Sequence, residues 1–255
     1  MSAELPEVGT TIGPWEVPIK ESTNQDLCSA VGSPVLPGGV VTPALAGNLN
    51  TGLLLKVLPP HILHTHQRIV LHEVAHVGDT LDVEGEVSSV HLRRGRVYAT
   101  VQGMVKNRSG ELIWEIEGQA CVPDAPTEGL EEKSSTPLRI PEGLEPGASS
   151  SHTLTLEDQV LFSGPGNFHS DIKISRQYGY ELPIAQGVHL LALGFDLLGA
   201  RNPDWPYRGI LDARFIGQAG VEDTVDTYLY IDRDVSWLEG KYRDNTVAVG
   251  RYQNQ

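Results

Sequence analysis

Residues 80–122 alternate. Leu81, Val83 and Val87 are interleaved with Asp82, Glu84 and Glu86, the period of a strand with one face on a core and one in water. Arg93-Arg94-Gly95-Arg96 makes a turn, and Val97, Ala99 and Val101 alternate on the return. Asn107-Arg108-Ser109-Gly110 turns the chain again, after which Trp114 and Ile116 alternate with Glu115 and Glu117. An antiparallel meander of this kind has one apolar face that another element must cover. The preceding stretch supplies it. Residues 43–58 (PALAGNLNTGLLLKVL) read as a helix stopped by Pro59-Pro60. Gly47, Asn48, Asn50 and Gly52 are poor helix formers, so that helix is expected to be broken or closely packed.

The same order recurs later in the chain. Residues 1–21 carry Pro6, Pro14 and Pro18 and read as loop or edge strand, and Ser22 can cap a short helix through Ala30. Residues 123–150, rich in Pro, Gly, Ser and Glu, read as a linker over the surface. Beyond it come a strand-like start at 153–162, a loop, a short helix and an apolar helix from Gly187 through 188–198. Strands are expected at 210–218, 224–231 and about 246–252, the middle one with Val225, Thr227, Leu229 and Ile231 alternating with polar neighbours. The chain therefore reads as two copies of one α+β unit, 1–122 and 151–255, each an antiparallel sheet around an apolar helix.

Composition narrows the function. There are 33 acidic and 19 basic residues, a formal net charge of −14. That argues against nucleic acid or an anionic membrane as partner, because phosphate backbones need a basic face. A phosphate-bearing ligand, which needs only a local basic pocket, remains open. No apolar run approaches the ~20 residues of a membrane span, and the N-terminus lacks the regions of a signal peptide. The expectation is a cytoplasmic protein, with Cys28 and Cys121 as reduced core residues.

The chemistry is expected within residues 162–193. Gly164, Pro165, Gly166 and Asn167 form a loop that delivers His169, followed by Asp171. A histidine on such a loop can be presented to a substrate and move a proton near neutral pH. The turn from Gly179 to Pro183 then leads to Gly187, at the mouth of the second apolar helix, where backbone N–H groups are free for a developing negative charge. Asp171 can serve as a second acid or, the favoured reading, cap the next helix. His189 in the first turn of the apolar helix reads as a core histidine or as a second titratable group. Tyr178 and Tyr180 can present hydroxyls to the same pocket.

These residues carry a resemblance to the MaoC-like hydratase/dehydratase family. Its loop has the form SGDxNPxHxD, followed about a dozen residues later by GFxxPIxHG. Here the first part is Ser163-Gly164-Pro165-Gly166-Asn167-Phe168-His169-Ser170-Asp171, and the second is Gly179-Tyr180-Glu181-Leu182-Pro183-Ile184-Ala185-Gln186-Gly187. The first half resembles the family's N-terminal, non-catalytic domain, most clearly from His76 to Val122. The resemblance implies a double hot-dog fold, a pseudo-dimer of two α+β halves. It also implies a lyase that adds or removes water in a 3-hydroxyacyl or 2-enoyl thioester or a related carbonyl compound. His169 would move the proton, the Gly187 N–H would hold the oxyanion, and Asn167 would orient substrate or water. The family's aspartate position falls on Gly164 in an ungapped reading and on Pro165 with one deletion, and Gln186 stands where histidine is usual. That departure brings in two alternatives: an isomerase or cyclase working with one histidine, and a non-catalytic partner subunit. No cofactor or metal is implied; a CoA or carrier-protein thioester would be substrate. A homodimer is compatible with the family.

Two other motifs compete. His72-Glu73-Val74-Ala75-His76 spells HExxH, whose zinc chemistry needs a helix with both histidines on one face. Strand-forming Ile69 and Val70 before it and Gly78 after it point to extended structure and no zinc. His61, His64 and His66 read as part of a solvated loop entering a strand. Arg93, Arg94 and Arg96 are the densest basic cluster, and a solvated hairpin turn is favoured over a phosphate clamp.

Overall fold

The computed structural model describes residues 5–202 and 205–254. In the first half, β1 (Thr11–Pro18) precedes α1 (Glu21–Ala30) and α2 (Ala44–Val57), and then come β2 (Leu63–Leu71), β3 (Thr80–Arg93), β4 (Arg96–Asn107) and β5 (Leu112–Val122). In the second half, β6 (Ala148–Thr153) precedes α3 (Leu156–Ser163), α4 (Ile172–Gln177), α5 (Gly187–Ala192) and α6 (Phe195–Gly199), followed by β7 (Gly209–Phe215), β8 (Thr224–Asp232), β9 (Val235–Tyr242) and β10 (Asn245–Gln253).

The ten strands of the described residues form one antiparallel sheet in the order β1-β3-β4-β5-β2-β7-β10-β9-β8-β6. Read outwards from the middle, each half repeats the other: first strand after the helices, fourth, third, second, then the strand before the helices. The halves meet where β2 pairs with β7, from His66 opposite Arg214 to Leu71 opposite Gly209. The two five-stranded sheets are thus continuous across a pseudo-twofold axis.

Both apolar helices lie against the inner face of this sheet. Leu53 and Leu54 of α2 are fully buried, and each such burial stabilises the fold by roughly 2 kcal/mol. Of the two glycines that weaken α2 as a helix, Gly47 has a packing reason and Gly52 faces open space. A side chain at Gly47 would run into Val188 of α5, so this glycine lets the two central helices touch. On the sheet, a Cβ at Gly103 would lie 2.5 Å from the Leu53 side chain, and one at Gly250 would lie 2.6 Å from Leu191. The helices sit in troughs that only glycine leaves open.

Several elements differ from their sequence reading. Residues 153–162 are not a strand: β6 ends at Thr153, and Thr155 caps α3, with its side chain and that of Asp158 exchanging bonds with each other's backbone. Capping-box chemistry overrides β-propensity there. The second apolar helix is divided into α5 and α6 at Gly194, where a Cβ would press on Leu238 and Thr227. Strand β9 does not alternate in burial, because both of its faces are covered. Leu138, Ile140 and Leu144, from the stretch read as linker, pack on a cluster of Tyr230, Trp237 and Val249 outside the sheet. That stretch also pairs with the meander through Leu92 and Glu132. Among the described residues no helix is long and apolar enough to cross a membrane, and Cys28 and Cys121 are buried free thiols.

Candidate active site

A cavity of about 1110 Å³ lies where the two halves meet, with walls from α2, β2, the 163–169 loop, the mouth of α5 and the end of β7. The loop is held from both sides. Asn48 of α2 donates to the Phe162 carbonyl (2.8 Å), tying the start of the loop to the first half. Asn167 then folds the loop on itself. Its side-chain amide donates to the Ser163 and Gly164 carbonyls (3.0 Å each), and its side-chain oxygen accepts from the His169 N–H (2.8 Å). Asn167 lines the cavity, but this structure uses its polar atoms to shape the loop.

His169 is fixed by one bond. Its Nδ1 lies 2.7 Å from the Ile184 carbonyl. A carbonyl only accepts, so Nδ1 carries the proton and Nε2 is left with a lone pair for the cavity. Burial lowers the pKa of His169 to about 4, although the Ile184 bond favours the charged form. It is therefore a neutral base at pH 7. Gly187 opens α5 nearby in the lining. The Ala185 N–H is spent on the Ala219 carbonyl (2.8 Å), whereas the Gly187 N–H, at the first helical position, has no acceptor among the described residues. A Cβ at Gly187 would be driven into the Phe215 ring, so glycine is required at this mouth.

The remaining expected residues separate. Tyr178 lines the cavity and stacks on His61 at 4.4 Å. Tyr180 accepts from Gln218 (3.4 Å) outside the lining. Asp171 caps α4, accepting from the Lys173 N–H (2.8 Å) and the Ile174 N–H (3.2 Å), and is not part of the lining. His189 also lies outside it. This histidine is fully buried, bonds the Ala30 carbonyl through Nε2 (3.0 Å) and stacks on Phe162 at 4.4 Å. Burial lowers its pKa to about 4 against the favourable Ala30 bond.

The HExxH residues do not converge. They follow β2 with no helix; His72 reaches Glu115 (2.9 Å), and His76 Nδ1 faces the Gly38 carbonyl (3.3 Å). Among the described residues no group of His, Cys, Asp or Glu is placed to hold a metal ion.

Two features of the cavity escape the sequence reading. Arg93, Arg94 and Arg96 are not simply a solvated turn, because they line the cavity together with Lys133, Arg139 and Arg214. Among the described residues Glu132 is the one acidic side chain in that lining, the reverse of the charge balance of the whole chain. Nor are His64 and His66 a solvated loop. Period-two alternation would put both on one face, but β2 carries a bulge between them, so that His64 opposes Ala120 and His66 opposes Gln119. His66 consequently faces Asp212 (2.7 Å) on the outer side, while His64 turns to the helix side and lines the cavity with His169.

No protein-family profile and no curated protein matches the sequence. Solved structures do. HtdX of Mycobacterium tuberculosis superposes with a TM-score of 0.76 over 96% of this chain and 100% of that one, at 14% identity. A MaoC-like dehydratase from Phytophthora capsici gives 0.77 over 97% and 96%, also at 14% identity. A conserved hypothetical protein of Mycobacterium tuberculosis, described as having a double hotdog fold, gives 0.67 over 98% and 96%, at 16% identity. The fold is a double hot-dog. It is the fold that MaoC-like dehydratases share, and in this double hot-dog the cavity sits between the two halves, with His169 and Gly187 from the second and His64 from the first.

Proposed function

We propose that the protein is a hydro-lyase that adds water to a 2-enoyl thioester or removes it from a 3-hydroxyacyl thioester. The observation that carries this reading is the pairing, in one cavity, of a bare imidazole Nε2 on His169 with an unspent N–H on Gly187. Removing or adding a proton next to a thioester carbonyl passes through an enolate. A neutral base and a preorganised donor at the oxygen are what that step needs. The volume of about 1110 Å³ is generous for an acyl chain together with part of a carrier. Six cationic side chains in the lining suit the phosphates of CoA or of a carrier-protein thioester. An open cavity beside His169 and Gly187, rather than a filled one, favours an enzyme over a partner subunit. A second reading, an isomerase or cyclase, is favoured by one observation: Gly164 and Pro165 offer no carboxylate to activate water.

The test is turnover of a series of trans-2-enoyl-CoA thioesters by the purified protein, with incorporation of labelled oxygen from water. His169→Ala should lower kcat by about 10²–10⁴-fold. With a base whose pKa is about 4, kcat/KM of the wild type should stay level from neutral pH to about 5 and fall as His169 is protonated below that. Isomerised product without labelled oxygen would favour the second reading. Full activity of His169→Ala would refute both.

A further inference from the structure

Hydration of an enoyl thioester needs a group that moves a proton and a group that fixes the oxygen at C3. The loop supplies only the first, since Gly164 and Pro165 stand where the family's aspartate is expected. We infer that His64 is the second catalytic residue of this site, an imidazole from the first half that holds the water, or the departing hydroxyl, at C3. This inference rests on the proposed hydro-lyase reaction and assigns its missing contact.

The fold spends effort on presenting His64. The bulge between His64 and His66 turns it out of the register that would carry it to the outer face, and Thr65 pins the bulge by donating to the Gln119 carbonyl (3.1 Å). The His64 ring packs edge-on against Phe215 at 5.0 Å. Phe215 is the ring that occupies the space beside Gly187. His64, Phe215 and Gly187 are therefore neighbours, and His169 lines the same cavity.

The hydrogen bonds of this histidine set it apart. His66 bonds Asp212, His169 bonds the Ile184 carbonyl, and His189 bonds the Ala30 carbonyl. Both nitrogens of His64 are buried, and neither makes a hydrogen bond of ordinary geometry. A buried polar atom without a partner calls for an explanation, and at this cavity wall a ligand towards which the His64 ring turns would supply one. Burial lowers the His64 pKa to about 3, opposed in part by the His66 backbone and reinforced by the charges of His66 and His169. The two imidazoles are thus not both positively charged at once.

The atoms balance on that basis. As the water oxygen bonds to C3, one of its protons passes to His169 Nε2, and the C2–C3 π pair moves into an enolate held by the Gly187 N–H. The other water hydrogen is bonded to the lone pair of neutral His64, which fixes the direction of attack. The imidazolium of His169 then returns its proton to C2. Water is added with no change of redox state, and dehydration runs the same steps backwards.

The experiment uses the full chain with trans-2-enoyl-CoA as probe. His64→Asn and His64→Phe should lower kcat by about 10²-fold or more with little change in KM and a melting temperature near that of the wild type. A kcat at the wild-type value in a folded variant overturns the role of His64 and leaves the hydro-lyase standing. If both variants fail to fold, ¹⁵N-histidine spectra of the wild type decide. Butyryl-CoA, a saturated thioester that cannot react, should shift the His64 ring signals, and signals that do not move overturn the inference. A wild type that turns over no enoyl-CoA overturns the hydro-lyase reading and the role of His64 with it.

Discussion

His189 should make the fold acid-sensitive without taking part in catalysis. It is fully buried between α1 and Phe162, and its one hydrogen bond, to the Ala30 carbonyl, can be made by the neutral ring. Its pKa is about 4 in the folded protein and about 6.5 in the unfolded chain. The folded value is depressed, so between these limits the unfolded state binds the proton and the folded state does not. Stability is full above pH 6.5 and falls as the pH drops towards 4. At pH 4.5 the linkage amounts to about 2 kcal/mol relative to pH 7, a sizeable share of the 5–15 kcal/mol typical of a folded domain. Urea unfolding of the wild type and of His189→Gln, which keeps a donor for the Ala30 carbonyl but cannot titrate, isolates this contribution. The variant starts lower at pH 7 because it loses the ring stack, but it should lose about 2 kcal/mol less than the wild type on going to pH 4.5. Its activity per folded molecule should be unchanged. Equal pH dependence in the two proteins would refute the argument, and a loss of activity with normal folding would return His189 to the catalytic site.

Two further outcomes follow from the geometry. Asp171→Ala removes the two bonds at the start of α4; it should cost about 1 kcal/mol of stability in a thermal melt while kcat changes little. Arg94→Ser combined with Arg96→Ser removes two exposed cations from the cavity wall. It should raise KM for CoA thioesters by about tenfold at low salt and leave KM for thioesters without a phosphate unchanged, as steady-state kinetics would show.

Much of this protein is legible in its amino-acid order alone, because it is written in local periodicity and in residues with special backbones. Alternation marks the meander from β3 to β5, and apolar content bounded by Pro and Gly marks α2 and the start of α5. The loop that delivers His169, and the glycine at the helix mouth, are short-range features that a sequence displays directly. The repeat of helix and strands on either side of residues 123–150 is visible for the same reason.

What only the tertiary structure decided depends on pairing between residues far apart in the chain. The union of ten strands in one sheet rests on β2 meeting β7, and no local pattern encodes that contact. Strand β9 is hidden from period-two reasoning because residues 138–144 cover its outer face and remove the alternation. The arginines of the β3–β4 turn face the same cavity as His169 only because the two halves are packed together. His64 is the sharpest case. A one-residue bulge against β5 sends it inward and His66 outward, and register is a property of the paired strands rather than of either sequence alone.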